Sequence, residues 1–182
     1  QKHRFSATMF LPTAFIGETR QVFSPQLKTQ NSKLKANLEC LTWFEVKELH
    51  HFGIEFGSHT VNHPKLVDLS WKEIEFEIKN SKLEIEARLG HPCSFFAYPY
   101  AFPSADASFV KNFVQLLQHA GYTSAVTTSI GRLHPNDASF TLKRLPVNTC
   151  DDFRFLAAKL AGAYDCLAVP QEAAKKLKAL RN

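Results

Sequence analysis

The stretch Ile54-Glu55-Phe56-Gly57-Ser58-His59-Thr60-Val61-Asn62-His63-Pro64 decides how the rest of the chain is read. Ile54 to Gly57 is a short apolar run of strand type, entered from Gly53, a residue suited to the position just past a helix end. It leads straight into two histidines four apart, and Pro64 closes the segment. If the residues after the strand form one helical turn, His59 and His63 project from one side, because positions i and i+4 are neighbours on a helix surface. Two neutral imidazoles so placed can supply half of a tetrahedral zinc shell. Parallel α/β proteins carry their chemistry at the C-terminal ends of strands, which is where this pair falls. Spacing alone is a weak signal in a chain with eight histidines, so the metal reading leans on the strand before the pair and on an aromatic-proline turn further along.

Outward from that stretch, local signals repeat. Thr42-Trp43-Phe44-Glu45 and Ser70-Trp71-Lys72-Glu73 both have the S/T-x-x-E form of a capping box, and each opens a helix. The first runs to about His51; the second carries Ile74, Ile78, Ile85 and Leu89 on one stripe and stops at Gly90. A third helix holds Phe109, Phe113, Leu116, Leu117 and Ala120 before Gly121. Asp151-Asp152 caps a fourth, which Gly162 ends, and a last helix is expected over residues 170–181. Strands are expected at 5–11, 54–58, 94–100, 122–127 and 141–147. Helix, glycine, strand, three times over, marks βα units with parallel strands. Residues 13–40 show no helical period and read as a long excursion, with 26–35 its least regular part.

At 182 residues the chain reads as a single domain over 1–182, and its 45% apolar and 21% charged residues are ordinary for a globular protein. No apolar run approaches the length of a transmembrane helix. The net charge of +5 is concentrated in residues 28–35 and the tail lysines, with no interleaved aromatic residues, which argues against a nucleic-acid surface. Cys40, Cys93, Cys150 and Cys166 form no CxxC and read as small hydrophobes.

These residues carry a family resemblance. Gly57-Ser58-His59-Thr60-Val61-Asn62-His63 resembles the GSHTxxH element of polysaccharide deacetylases, carbohydrate esterase family 4 with the nodulation-type deacetylase domain. Phe96-Ala97-Tyr98-Pro99-Tyr100 is similar to that family's aromatic-proline-tyrosine turn, and Ala7-Thr8-Met9-Phe10-Leu11-Pro12, Gly121-Tyr122 and Leu142-Lys143-Arg144-Leu145-Pro146-Val147 look like further landmarks in order. The resemblance implies a distorted seven-stranded (β/α) barrel, incomplete at the N-terminus, and a divalent metal, usually Zn2+, used to remove acetyl groups from N-acetylglucosamine-containing glycans. It implies that His59 and His63 bind the metal and that the Tyr100 backbone N–H holds the oxyanion. His134 is a candidate general acid; the competing reading is an exposed loop residue before Pro135.

Departures from the family pattern matter as much. Members carry an aspartate pair, one a base and one a metal ligand, on a strand before the one that opens here, and the only Asp-Asp in this chain is the helix cap at 151–152. Ala97 stands where many members have arginine, and Ala101 where glycine is common. A missing first strand would leave an open barrel edge, through which subunits could associate. Three readings therefore stand: a metal-dependent deacetylase, a carbohydrate-binding relative without the base, and a plain α/β protein with surface histidines. The resemblance points to the cell envelope or an extracytoplasmic location and leaves the cytoplasm open.

Overall fold

A computed structural model describes residues 5–24, 39–167, 170–171 and 173–174. The expectations for residues 26–35 and for most of the tail helix lie outside the described residues; residues 170, 171, 173 and 174 are helical. The chain divides into two compact units, Gln1–Pro99 and Tyr100–Asn182.

In the first unit the order is β1 (Ala7–Leu11), α1 (Trp43–His51), β2 (Ile54–Ser58), α2 (Trp71–Leu89) and β3 (Phe95–Ala97). The strands are parallel: β1 pairs with β2 from Ala7↔Ile54 to Leu11↔Ser58, and β2 pairs with β3 at Ser58↔Phe96. Both capping boxes form. Thr42 Oγ1 accepts the Glu45 N–H while the Glu45 carboxylate accepts the Thr42 N–H, and Ser70 and Glu73 repeat the exchange. Each satisfies N–H groups that a helix start leaves without an internal partner. Gly90 ends α2 in the left-handed conformation, open to glycine because it lacks Cβ. Of the stripe read from the sequence, Ile74, Ile78 and Ile85 are buried and Leu89 is half-buried, with Val46, Phe56, Leu66 and Phe96 in the same core. The described ends of the 13–40 excursion are tied down by a short 3-10 turn, Thr13–Phe15, and by isolated bridges Gly17↔Thr42 and Val22↔Glu39.

The second unit holds α3 (Ala107–His119), β4 (Ser124–Ile130), β5 (Leu142–Arg144) and α4 (Phe153–Ala161). β4 and β5 are parallel, with a register shift between Val126↔Leu142 and Ile130↔Arg144. The strand expected over 141–147 stops at Arg144; Pro146, which has no N–H to give a ladder, lies just beyond. Asp152 caps α4 by accepting the Phe155 N–H. Asp151 does something else: its Oδ2 accepts from Lys159 Nζ at 2.6 Å, and both side chains are only 1% exposed. Lys159 also donates to the Pro146 carbonyl and lies over the Tyr164 ring, so this buried pair fastens α4 to the chain leaving β5. Gln171 donates to the Thr128 carbonyl and accepts from the Ile130 N–H, a side-chain amide standing in for a strand partner at β4.

The described residues thus contain five strands in an α/β arrangement whose observed pairings are all parallel. No helix among them is long and apolar enough to cross a membrane.

Candidate functional site

β2 delivers the chain to the histidine segment, and the His59 N–H extends the ladder by donating to the Leu11 carbonyl. Beyond that point the expected helical turn does not form. Thr60 and His63 adopt left-handed backbone, with φ of 69° and 54°, and the segment between them is a loop. The physical reason lies in where its N–H groups go. Thr60 Oγ1 accepts the His63 N–H at 3.0 Å. Glu77 Oε2, on α2, accepts the Val61 and Asn62 N–H groups at 2.8 and 2.9 Å, and Oε1 accepts from Asn62 Nδ2 at 2.7 Å. From the other side, Thr13 and Ala14 N–H groups donate to the Thr60 and Val61 carbonyls. These partners replace an internal helical ladder.

The loop still brings the two rings together. Their Nε2 atoms are 3.0 Å apart, with ring centroids at 4.6 Å and planes at 75°. His59 Nδ1 lies 2.7 Å from the Ala97 carbonyl, which can only accept, so Nδ1 carries the proton and Nε2 keeps its lone pair. Desolvation by burial lowers the pKa of His63, which favours the neutral, ligating form. The Phe23 ring packs against the His63 ring nearly at right angles, with centroids at 5.3 Å and planes at 81°. Two nitrogens bound to one tetrahedral zinc at ordinary lengths are about 3.3 Å apart, so the pair fits half of such a shell. Among the described residues no group of three or more His, Cys, Asp or Glu is placed to hold a metal. Two imidazoles are the candidate donors that the described residues bring together.

Tyr100 follows Pro99, three residues after the Ala97 carbonyl that orients His59, and has a φ of 56°. With Thr60 and His63 it completes the set of non-glycine residues in left-handed backbone among those described. All three lie in the two motifs picked out from the sequence. Such backbone costs energy that surrounding structure must hold in place, and it concentrates at functional sites. Two residues on, the Phe102 N–H donates to Thr128 Oγ1. His134 sits in an exposed turn, where its N–H donates to Asp137 Oδ2 and its carbonyl accepts the Asp137 N–H. His59 and His63 meet within the first unit; Tyr100 and His134 belong to the second.

Sequence reasoning passed over Glu77. It lies three residues after Ile74 and next to Ile78, so an acidic residue on the apolar stripe of α2 was the available signal.

Searched against curated proteins, the chain matches none. Among solved structures it is similar to the deacetylase PplD of Streptococcus pyogenes in complex with acetate, at 25% identity over 67% of this chain and 51% of that one, with a TM-score of 0.59. A polysaccharide deacetylase from Bacillus cereus is 20% identical, covering 84% of this chain and 41% of the other, with a TM-score of 0.59. IcaB from Ammonifex degensii is 19% identical over 86% and 62%, with a TM-score of 0.62. The chain therefore spans between 41% and 62% of the length of these three proteins. The sequence profile of the polysaccharide deacetylases matches residues 1–125, more than half of the chain, and on that match the chain belongs to the polysaccharide deacetylase family.

Proposed function

We propose that the protein is a metal-dependent hydrolase that removes N-acetyl groups from N-acetylglucosamine-containing polysaccharide or oligosaccharide. The observation that carries this reading is the convergence of the two Nε2 atoms at 3.0 Å, with the Ala97 carbonyl holding His59 in the tautomer a metal needs. The resemblance further implies that the whole fold is a distorted seven-stranded barrel, with both units forming one catalytic domain. Acetate, bound in the S. pyogenes relative, is the product such a reaction would release.

His59 and His63 would hold the cation, with Zn2+ the best match to an all-imidazole protein contribution. A divalent metal, when bound, supplies polarisation of the acetamide carbonyl and a more acidic water. The Tyr100 backbone N–H would donate to the oxygen that gains charge as the carbonyl carbon becomes tetrahedral. His134 is assigned as the acid that protonates the departing sugar amine. The carboxylate base that the reaction also needs is not among the residues assigned here.

Acetate release from chitooligosaccharides by the full-length protein, with zinc supplied, tests the reading. His59→Ala is expected to abolish release. Release that persists in a folded His59→Ala protein removes this imidazole from the mechanism and the metal site with it.

A further inference from the structure

On that reading of the imidazole pair, we propose that Glu77 is its positioning residue: the carboxylate grips Val61 and Asn62, two of the three residues between the histidines, and thereby sets how the rings converge. Glu77 is 5% exposed and sits on the face of α2 that buries Ile74, Ile78 and Ile85. A carboxylate in such surroundings is costly unless it is paired or fully hydrogen-bonded. Among the described residues no Lys, Arg or His forms an ion pair with it. Three N–H donors meet it instead, and all come from Val61 and Asn62.

The placement of those donors makes the residue more than a core filler. Val61 and Asn62 are flanked by Thr60 and His63, whose left-handed backbone would relax toward extended or helical geometry without restraint. Relaxation at either flank swings an imidazole, because His59 is otherwise oriented from β3, through Ala97, and His63 depends on the loop. The same helix steadies the segment one turn further on, where Ser81 Oγ lies 2.6 Å from Ser58 Oγ. α2 thus reaches the chain on both sides of His59, and Glu77 is its grip on the His63 side.

The test is metal affinity, measured by calorimetry with Zn2+ and by visible absorption with Co2+, on the full-length protein and its Glu77→Ala, Glu77→Asp and Glu77→Gln variants. Glu77→Ala is expected to bind about 10–100-fold more weakly, the usual range for loss of an outer partner of a metal ligand. Glu77→Gln, nearly isosteric and able to offer one oxygen to both backbone N–H groups, is expected to recover most of that loss. Glu77→Asp keeps the charge but falls short of the loop, and is expected to bind about tenfold more weakly or worse. It decides the matter if Glu77→Ala does not fold. A glutamate with only a structural role would lower the melting temperature and leave the affinity of the folded protein unchanged. Unchanged affinity in folded Glu77→Ala or Glu77→Asp overturns this assignment alone. A wild-type protein that binds neither metal overturns both the assignment and the metal-site reading beneath it.

Discussion

Gly57 offers the sharpest test of how β2 presents the histidine segment. It lies on the central strand of the first unit, between β1 and β3, one residue before Ser58. A Cβ placed there would lie 2.6 Å from two atoms of the Phe10 ring and 2.9 Å from the Phe95 carbonyl oxygen. The half-buried Phe10 ring can swing aside, but the carbonyl is part of β3 and cannot, so β2 and β3 must separate by several tenths of an ångström. Overpacking of this kind costs about 1–3 kcal/mol, and the rigid carbonyl places Gly57→Ala in the upper half of that range. For a protein of this size each kcal/mol moves the melting temperature by about 2–4 °C, so a fall of about 4–12 °C is expected. Both tryptophans, Trp43 and Trp71, lie in the first unit, so intrinsic fluorescence reads its melting directly. Adding Phe10→Ala removes the ring contact and leaves the carbonyl, so the double variant should recover only part of the loss attributed to the clash. A fall smaller than about 2 °C in Gly57→Ala would refute the claim that the two strands cannot separate at low cost.

Three further outcomes follow from the geometry. Tyr100→Gly keeps the backbone N–H and relieves a left-handed conformation that costs a non-glycine residue about 1–2 kcal/mol, so kcat should fall far less than the about 100–1,000-fold expected for losing an oxyanion donor; a loss of that full size would mean the phenol, not the amide, acts. Lys159 holds the Asp151 carboxyl below its ordinary 3.8, chiefly by hydrogen bonding. Between that lowered value and 3.8 the unfolded chain binds more protons than the folded one, so stability rises with pH there, and what the pair contributes is lost on acidification below about pH 4. Melting by circular dichroism from pH 5 to pH 3 should therefore show a shallower acid loss in Asp151→Asn, and equal slopes would remove the pair from the account. Burial pushes the Cys93 thiol up to about 11, whereas Cys150 and Cys166 are exposed. Iodoacetamide at mildly alkaline pH should label the exposed two and spare Cys93 in the native protein, as read by mass spectrometry.

How much of the fold was legible depended on how local its causes are. The two capping boxes, the Asp152 cap and the exits at Gly90 and Gly162 involve partners within four residues, so residue identity alone placed the helix ends. The parallel βα alternation of the first unit followed from those punctuation marks and the apolar runs between them. Leu142–Arg144 came out shorter than its run suggested, because the chain beyond it turns to meet Lys159.

The candidate site divides the same way. Residue types and order were enough to single out His59, His63 and the tyrosine turn as candidates, since imidazole is a common metal ligand and the pair follows directly on a strand end. How the rings meet was not written in the spacing. An i, i+4 pair suggests a helical turn, yet the segment's N–H groups found partners on Glu77, sixteen residues from Val61, and its carbonyls on Thr13 and Ala14, nearly fifty residues away. Those long-range hydrogen bonds hold Thr60 and His63 in backbone that neither residue prefers by itself. The amino-acid sequence therefore determined which side chains could form the site, and only the packing of α2 and the β1 exit against the loop decided their geometry. Local preference is worth less here than three charge-assisted hydrogen bonds to one buried carboxylate.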